Sequence, residues 1–231
     1  MIPIKNKLRQ AEINSYEVIL EGSPFTLSDF YYEENNPFFV VLDKGLQHYM
    51  LFGFNEEILR FEIPRLSKQY ELIVELEKEK DYKKIFGVWV EKRVLLKRFL
   101  EYFNLINDEE KFDIFIDVYN RSEYGFNEYI NESFIKNIVK YRSPESIYTP
   151  HFTDKKIKVY RGVGRLSTSP FKAYSWTLDK ETAQWFSTRF KDVGEVYEAY
   201  IETKNIVAYI EKRNEKEVVV LPSKLKEINQ I

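Results

Sequence analysis

The stretch KIKVYRGV at residues 156–163 begins the part of the chain that decides the fold. The apolar stretches that follow it at short intervals also read as β-strands: FKAYSWT (171–177), EVYEAYI (195–201), NIVAYI (205–210) and EVVVLP (217–222). Strands joined by short turns favour a mixed or antiparallel sheet over the parallel sheet of doubly wound proteins. The sequence therefore predicts an α+β fold.

One helix is predicted inside this strand-rich region, at about residues 179–190. Asp179 can serve as its N-cap, because a carboxylate accepts hydrogen bonds from the first free amides of a helix. Ala183, Phe186 and Phe190 recur at helical spacing and form an apolar stripe. We expect this stripe to face the sheet.

Two other patterns occupy the chain before residue 150. Up to about residue 65, turns with glycine and proline separate short apolar runs, which predicts a small β-rich unit. Its predicted strands are YEVIL (16–20), FFVVL (38–42) and HYMLFGF (48–54). From about Leu66 to Arg142 the apolar period becomes helical. The predicted helices cover residues 67–84, residues 86–106, a segment from Asn107-Asp108 onwards, and a segment after Gly125 that aligns Ile130, Phe134, Ile138 and Tyr141.

The charge balance and the missing residue types exclude several functions. The chain has 35 basic and 37 acidic residues, so its net charge is close to zero. No overall electrostatic field would therefore hold the protein on nucleic acid or an anionic membrane, although a local basic patch is not excluded. The absence of cysteine excludes disulfides, thiol catalysis and thiolate zinc sites, and two separated histidines, His48 and His151, argue against a zinc enzyme. The N-terminus lacks the apolar core of a signal peptide, and no long apolar run suits a membrane span. We expect a soluble, cytoplasmic protein.

Arg161 stands at the end of an apolar strand, immediately before Gly162. A guanidinium is a rigid fork that can hold a diphosphate through two hydrogen bonds, and a glycine beside it lets a ligand approach the backbone. Taken alone, Arg161 has an ordinary explanation as a strand-end arginine paired with a carboxylate.

Ser175 and Thr177 stand two residues apart in a predicted strand, so both hydroxyls should leave the same face of the sheet. Glu215 and Glu217 have the same spacing at the start of the most apolar strand, where extended backbone would point both carboxylates the same way. A carboxylate in such a place can stabilise an oxocarbenium ion, as in glycosidases. Strand propensity and a charged hairpin turn are the ordinary explanations for these two pairs.

The three motifs occur in the order arginine, hydroxyl pair, glutamate pair, and each is attached to a predicted strand. In this combination the chain resembles the mono-ADP-ribosyltransferases of the arginine–serine–glutamate class, which include clostridial and cholera-type toxins and phage enzymes. The resemblance covers about residues 84–231, because YGFNEYINESFI (124–135) is similar to the helix that such domains carry before the arginine strand. The middle motif of the family is most often Ser-Thr-Ser, whereas this chain has Ser-Trp-Thr. On a regular strand, Trp176 should point away from the ligand.

The resemblance implies a fold and a co-substrate. It implies a catalytic domain at residues 84–231 with a split mixed or antiparallel sheet preceded by helices, after a β-rich unit at 1–65 and a helical linker at 66–83. The co-substrate would be NAD, with Arg161 binding its phosphates and the backbone of Gly162 contacting the nicotinamide amide.

The resemblance also implies a role for each of four residues around the ribose. Ser175 would orient Glu217, and Thr177 would support the nicotinamide-ribose side. Glu217 would hold the ribose 2′-hydroxyl and stabilise the cation that forms when nicotinamide departs. Glu215 matches the position that accompanies transfer to arginine side chains, and a carboxylate suits that role because a guanidinium acceptor is cationic in water. The aromatic that would stack on nicotinamide is left open among Phe171, Tyr174 and Phe186.

The expected activity is cleavage of NAD and transfer of ADP-ribose to a protein, on arginine. Two alternatives use the same residues or the same fold: an NAD glycohydrolase with water as acceptor, and a binding or inhibitor protein without catalysis. Modification of nucleic acid is less favoured, because the near-neutral charge gives no sign of a basic channel. The target protein is not identified. Since no delivery domain is visible, we expect a protein used inside a microbial cell, encoded by a phage or injected as an effector.

Overall fold

The computed structural model describes residues 1–33, 36–122, 126–189 and 193–231, with their side chains except those of Pro37, Asn127 and Arg213. The chain divides into two compact units. The first comprises Met1–Asn107 and Asp117–Tyr129, and the second comprises Asp108–Ile116 and Ile130–Ile231. Within the described ranges, no helix combines the length and the apolar character needed to cross a membrane.

The first unit contains a small antiparallel sheet and several helices. Its described strands follow the order β1 (Ile2–Pro3), β2 (Phe30–Glu33), β3 (Asn36–Lys44) and β4 (Gln47–Phe52). The helical segments are α1 (Gln10–Leu20), α2 (Glu56–Glu79), α3 (Tyr82–Lys84), the π-helical Ile85–Trp89, α4 (Leu95–Tyr102), the end of α5 (Asp108–Arg121) and α6 (Phe126–Tyr129). Buried side chains of α1, the sheet and α2, among them Leu20, Phe30 and Leu59, form its core.

The structure confirms two of the strands predicted in this unit and corrects the third. FFVVL lies in β3, and HYMLFGF overlaps β4. YEVIL is not a strand, because it forms the end of α1. Tyr16 and Leu20 are both buried while Val18 is 67% exposed, and a spacing of four residues places two side chains on one face of a helix.

Helix α2 begins well before the predicted start at residue 67. The side chain of Asn55 caps it by accepting a hydrogen bond from the Ile58 amide at 3.0 Å. A buried stripe that includes Leu59, Ile63 and Leu66 then continues through the helix. The predicted limit between residues 65 and 66 therefore lies inside α2. A catalytic domain that starts at residue 84 stays a prediction.

Two long predicted helices are each divided into shorter segments. The one predicted at 86–106 is interrupted after the π-helical segment, where buried Val90 has extended backbone at φ −80° and ψ 130°. The one predicted after Gly125 is interrupted at Asn131, whose side chain caps a new helix by accepting from the Phe134 amide at 2.9 Å. Tyr124 and Gly125 themselves lie outside the described residues. A capping side chain marks the second interruption, and the apolar period continues through both.

The described residues of the second unit form a six-stranded sheet with the order β10-β7-β5-β6-β9-β8, in which every neighbouring pair is antiparallel. The strands are β5 (Lys156–Val163), β6 (Ser175–Thr177), β7 (Glu195–Glu202), β8 (Ile206–Ile210), β9 (Glu217–Val220) and β10 (Lys226–Gln230). The helices are the start of α5, α7 (Glu132–Ile138) and α8 (Lys180–Thr188). A core that includes Val159, Trp176 and Val218 covers one face of the sheet.

This unit confirms the predicted α+β class and selects an antiparallel sheet. Four of the five predicted strands lie close to their predicted positions. The stretch FKAYSWT is corrected: Pro170–Lys172 is a 3₁₀ turn, so only Ser175–Thr177 is a strand. Asp179 caps α8 by accepting from the Glu181 amide at 3.0 Å, as predicted. Phe190 of the predicted stripe lies outside the described residues.

Candidate functional site

The three motifs that the sequence singles out lie on three adjacent strands. Arg161 is in β5, Ser175 and Thr177 are in β6, and Glu217 opens β9, and these strands are consecutive in the sheet. Thr177 is directly opposite Glu217, a relation that places Cα atoms about 5 Å apart in an antiparallel pair. Ser175 is two residues further along the same strand, or about 7 Å. Segments up to 56 residues apart in sequence, from 161 to 217, thus meet in one part of the sheet.

The sheet is split between β5 and β6. Within the described strands, β5 and β6 share a single register pair, Tyr160 with Thr177, whereas β5 pairs with β7 along its whole length. Strand β6 instead pairs with β9 through all of its residues. The sheet therefore consists of two three-stranded halves, β10-β7-β5 and β6-β9-β8, joined by one register pair. We call the place beside this pair, where strand pairing between β5 and β6 ends, the opening.

Arg161 lies at this opening. The amides of Val220 and Leu178 donate to the carbonyls of Tyr174 and Lys216, so alternate backbone groups of this segment face β9 and the carbonyl of Ser175 faces β5. Arg161 donates from Nη1 to that carbonyl at 2.6 Å and from Nη2 to the carbonyl of Thr168 at 3.2 Å. The guanidinium thereby supplies hydrogen bonds at a place where the sheet ladder has ended.

Arg161 and Glu217 start from different faces of the sheet. Because Tyr160, Thr177 and Glu217 are paired in one row, they share a face, and Arg161 leaves β5 on the other face. Its side chain turns back into the opening to reach Ser175. A ligand contacting both groups would therefore have to occupy the opening. Trp176 lies on the opposite face of β6 from Thr177 and is buried in the core, with its indole donating to the Ala173 carbonyl at 3.2 Å.

Gly162 lacks a side chain for a reason that the sequence did not reveal. An ideal Cβ at this position would lie 2.0 Å from the Ala183 carbonyl oxygen and 2.6 Å from the Ser187 amide nitrogen, both in α8. The close approach that was expected from a ligand is thus made by the backbone of a helix. The predicted backbone contact of Gly162 with nicotinamide stays a prediction.

The hydroxyl pair contributes mainly through backbone contacts. Thr177 is 6% exposed, and its hydroxyl donates to the Glu215 carbonyl at 2.7 Å and accepts from the Asp179 amide at 3.0 Å. Ser175 contacts Arg161 through its carbonyl oxygen. That the Ser175 hydroxyl orients Glu217 stays a prediction.

The two glutamates do not lie on one extended segment, which corrects the extended backbone expected between them. Glu215 follows the 3₁₀ turn Lys212–Asn214 and has helical backbone at φ −88° and ψ −9°. Lys216 then has a positive φ of 46°. Only at Glu217 does the strand begin, and both glutamates are partly buried. The turn sets the direction of Glu215, whereas strand pairing sets that of Glu217.

The helix before the arginine strand is joined to the strand that carries Glu217. Glu132, in the first turn of α7, accepts from the Ser223 amide at 2.8 Å and from its hydroxyl at 2.6 Å. Burial raises the pKa of Glu132, but the hydrogen bonds from Ser223 and Lys136 outweigh burial and the net shift is downward. Ser223 lies in the turn after β9, so this contact fixes α7 beside that strand end.

The three aromatic candidates for stacking on nicotinamide have different surroundings. Phe171 is 62% exposed, and Phe186 packs edge-on against Trp185, with Arg189 lying 5.1 Å from the Phe186 ring centre. Tyr174 is partly buried next to Ser175, and burial raises the pKa of its phenol. Tyr174 directly precedes Ser175, whose carbonyl accepts from Arg161.

Sequence reasoning missed two contributors to this region. The Thr168 carbonyl, which accepts from Arg161, carries no sequence signal because any residue offers the same group. Asp179 was recognised as a helix cap, but its carboxylate also lies 4.0 Å from the Lys216 ammonium group in the turn before Glu217. Comparisons with protein-family models, curated proteins and solved structures found no match. The functional proposal therefore rests on the residues of this chain.

Proposed function

We propose that this protein is a mono-ADP-ribosyltransferase that cleaves NAD between nicotinamide and ribose and transfers ADP-ribose to arginine side chains of a protein. The observation that carries the proposal is the meeting of the Arg161, Ser175-Thr177 and Glu217 segments on adjacent strands of a split antiparallel sheet. Such a split sheet is what the resemblance to the arginine–serine–glutamate class implies. The finer fold assignment, an ADP-ribosyltransferase-like domain, is part of this proposal.

Arg161 is suited to hold the diphosphate because its guanidinium is already fixed in direction by two backbone carbonyls. A fixed fork loses little rotational freedom on binding, and its planar donors match phosphate oxygens. Glu217 is suited to stabilise the ribosyl cation because strand pairing with Thr177 and Ile210 holds its backbone. Negative charge that is held in place before the reaction lowers the barrier to forming a cation beside it.

The proposed reaction uses these residues in turn. The bond from ribose C1′ to nicotinamide breaks with its electron pair going to the nicotinamide nitrogen, which becomes neutral, and a cation forms at C1′. Glu217 stabilises that cation and holds the 2′-hydroxyl. A guanidine nitrogen of the target arginine then forms the new bond to C1′, and its proton passes to Glu215. Water in place of the arginine gives free ADP-ribose.

The acceptor role of Glu215 is tested by Glu215→Gln. The amide cannot take a proton from the arginine, so transfer to protein should fall about a hundredfold. Hydrolysis of NAD should fall by less than about threefold, because it depends on Glu217 and not on a proton acceptor for arginine. Both products are measured in one reaction with labelled NAD. Equal loss of the two activities would contradict the acceptor role.

The phosphate role of Arg161 is tested by Arg161→Lys, which keeps the positive charge but removes the planar guanidinium with its paired hydrogen-bond donors. The KM for NAD should rise at least about tenfold, because one ammonium group cannot replace two directed hydrogen bonds. The exposed Arg165 on the following loop supplies the matched control, and Arg165→Lys should leave KM unchanged. An unchanged KM in Arg161→Lys, measured by nicotinamide release, would remove Arg161 from the site.

The activity itself is tested by incubating the protein with a cell lysate and labelled NAD. The expected result is release of nicotinamide together with labelled protein, in which mass spectrometry finds ADP-ribose on arginine. Nicotinamide release without labelled protein would indicate the glycohydrolase alternative. Absence of nicotinamide release would indicate a binding protein and would contradict the proposal.

A further inference from the structure

The hydroxyl of Thr177 makes two hydrogen bonds within the protein. It is buried, it donates its single proton to the Glu215 carbonyl at 2.7 Å, and it accepts from the Asp179 amide at 3.0 Å. A hydroxyl has one proton to donate, so Thr177 cannot also donate to a bound ribose. The role that the resemblance implies for Thr177, supporting the nicotinamide-ribose side, therefore cannot be a hydrogen bond that Thr177 donates.

The segment that Thr177 contacts is a strained turn. Asn214 has φ +57° and Lys216 has φ +46°, so two residues with side chains adopt left-handed backbone within three positions. Such conformations persist only where surrounding contacts hold them. Lysine, unlike asparagine, has no local hydrogen bond that favours this region.

Residues 177–179 contact the end of this turn, whereas Lys212 near its start donates to the Tyr148 hydroxyl at 2.7 Å. The Thr177 hydroxyl bonds the Glu215 carbonyl, and the Leu178 amide donates to the Lys216 carbonyl at 3.1 Å. The Asp179 carboxylate lies 4.0 Å from the Lys216 ammonium group. Residues 177–179 thus contact Glu215 and Lys216 of the turn. Among the described contacts, Thr177 makes the only side-chain hydrogen bond to the backbone of the turn.

We propose that Thr177 is a positioning residue that locks the turn at residues 211–216 and so determines whether ADP-ribose passes to protein or to water. This inference rests on the proposed function, because it concerns the acceptor step. Glu217 is held by strand pairing on both sides, through Thr177 and Ile210. Glu215 precedes the strand and takes its direction from the turn. Loosening the turn therefore displaces Glu215 more than Glu217.

The test is Thr177→Val, which keeps the shape of the side chain and removes the hydroxyl. The ratio of protein transfer to NAD hydrolysis should fall at least about tenfold, because the proton acceptor for arginine is misplaced while the carboxylate that stabilises the cation is retained. Thr177→Ser should restore the ratio to within about twofold, because serine supplies the same donor and acceptor. A purely structural role would lower both activities together and leave the ratio unchanged.

Thr203→Val is the matched control, since the Thr203 hydroxyl also donates to a backbone carbonyl, that of Asp154, at 2.9 Å. This variant should leave the ratio unchanged. An unchanged ratio in Thr177→Val, or an equal fall in Thr203→Val, would overturn the proposal.

Hydrogen exchange tests the lock without NAD and so separates its failure from that of the proposed function. In Thr177→Val the Asp179 amide and the amides of residues 211–216 should exchange at least about tenfold faster than in the wild type, because local opening becomes less costly. Thr177→Ser and Thr203→Val should match the wild type there. Unchanged exchange in Thr177→Val would refute the lock, whether or not the protein cleaves NAD.

Discussion

Glu217→Gln is expected to slow nicotinamide release from NAD at least about a hundredfold while the protein still folds, because the amide is nearly isosteric with the carboxylate but carries no charge to stabilise the ribosyl cation. Hydrolysis and transfer should fall together, since both pass through that cation in the proposed reaction. This joint loss distinguishes Glu217 from Glu215, whose substitution should affect transfer more. The measurement is nicotinamide release at saturating NAD, with labelled protein counted in parallel.

The control for this prediction is Glu211→Gln, at an exposed glutamate before the same turn. It removes one negative charge close in sequence and should leave nicotinamide release within about twofold of the wild type. The thermal midpoint of Glu217→Gln should stay within a few degrees of the wild type, which excludes unfolding as the cause. Near wild-type activity of Glu217→Gln would show that the catalytic carboxylate is elsewhere.

Gly162→Ala is expected to destabilise the protein by about 3 kcal/mol or more, at the upper end of the usual cost of overpacking. The added Cβ would lie 2.0 Å from a backbone oxygen of α8, and backbone atoms cannot move aside as a flexible side chain can. For a domain of this size, the loss corresponds to a fall in thermal midpoint of about 10 °C. Thermal and urea unfolding without NAD measure it.

Gly87→Ala is the matched control, because an ideal Cβ there meets nothing within 4 Å. That substitution should change stability by less than about 1 kcal/mol. If Gly162→Ala were as stable as Gly87→Ala, the packing of α8 on β5 described here would be incorrect. The comparison also separates the structural reason for Gly162 from its predicted backbone contact with nicotinamide.

Sequence reasoning located strands well where apolar runs were bounded by clear turns. It was less accurate where a helix continued into an apolar run, or where a local cap set the end of a helix. Strand β5 has the predicted limits, 156–163, because its apolar run is isolated between polar segments. YEVIL has the composition of a strand, but it continues α1, whose start has a capping box and whose end buries Tyr16 and Leu20. The polar strand β10 went unpredicted because it is a mostly exposed edge strand held by backbone pairing with β7.

The candidate site could be predicted in its residues but not in its geometry. Arg161 and Glu217 carry recognisable chemistry, yet strand order depends on pairing between distant segments, and no local pattern encodes it. Extended backbone between Glu215 and Glu217 was expected wrongly, because φ is positive at Lys216. The role of Gly162 in packing was hidden because a glycine that admits a ligand and a glycine that admits a helix look the same in sequence.

A crystal structure of the Glu217→Gln variant with NAD tests the central claim most directly, because the substitution should leave bound NAD intact. We predict that NAD occupies the opening between β5 and β6, with its diphosphate about 3 Å from the Arg161 guanidinium and its nicotinamide ribose beside position 217. NAD bound elsewhere, or contacting only one of these two positions, would contradict the account.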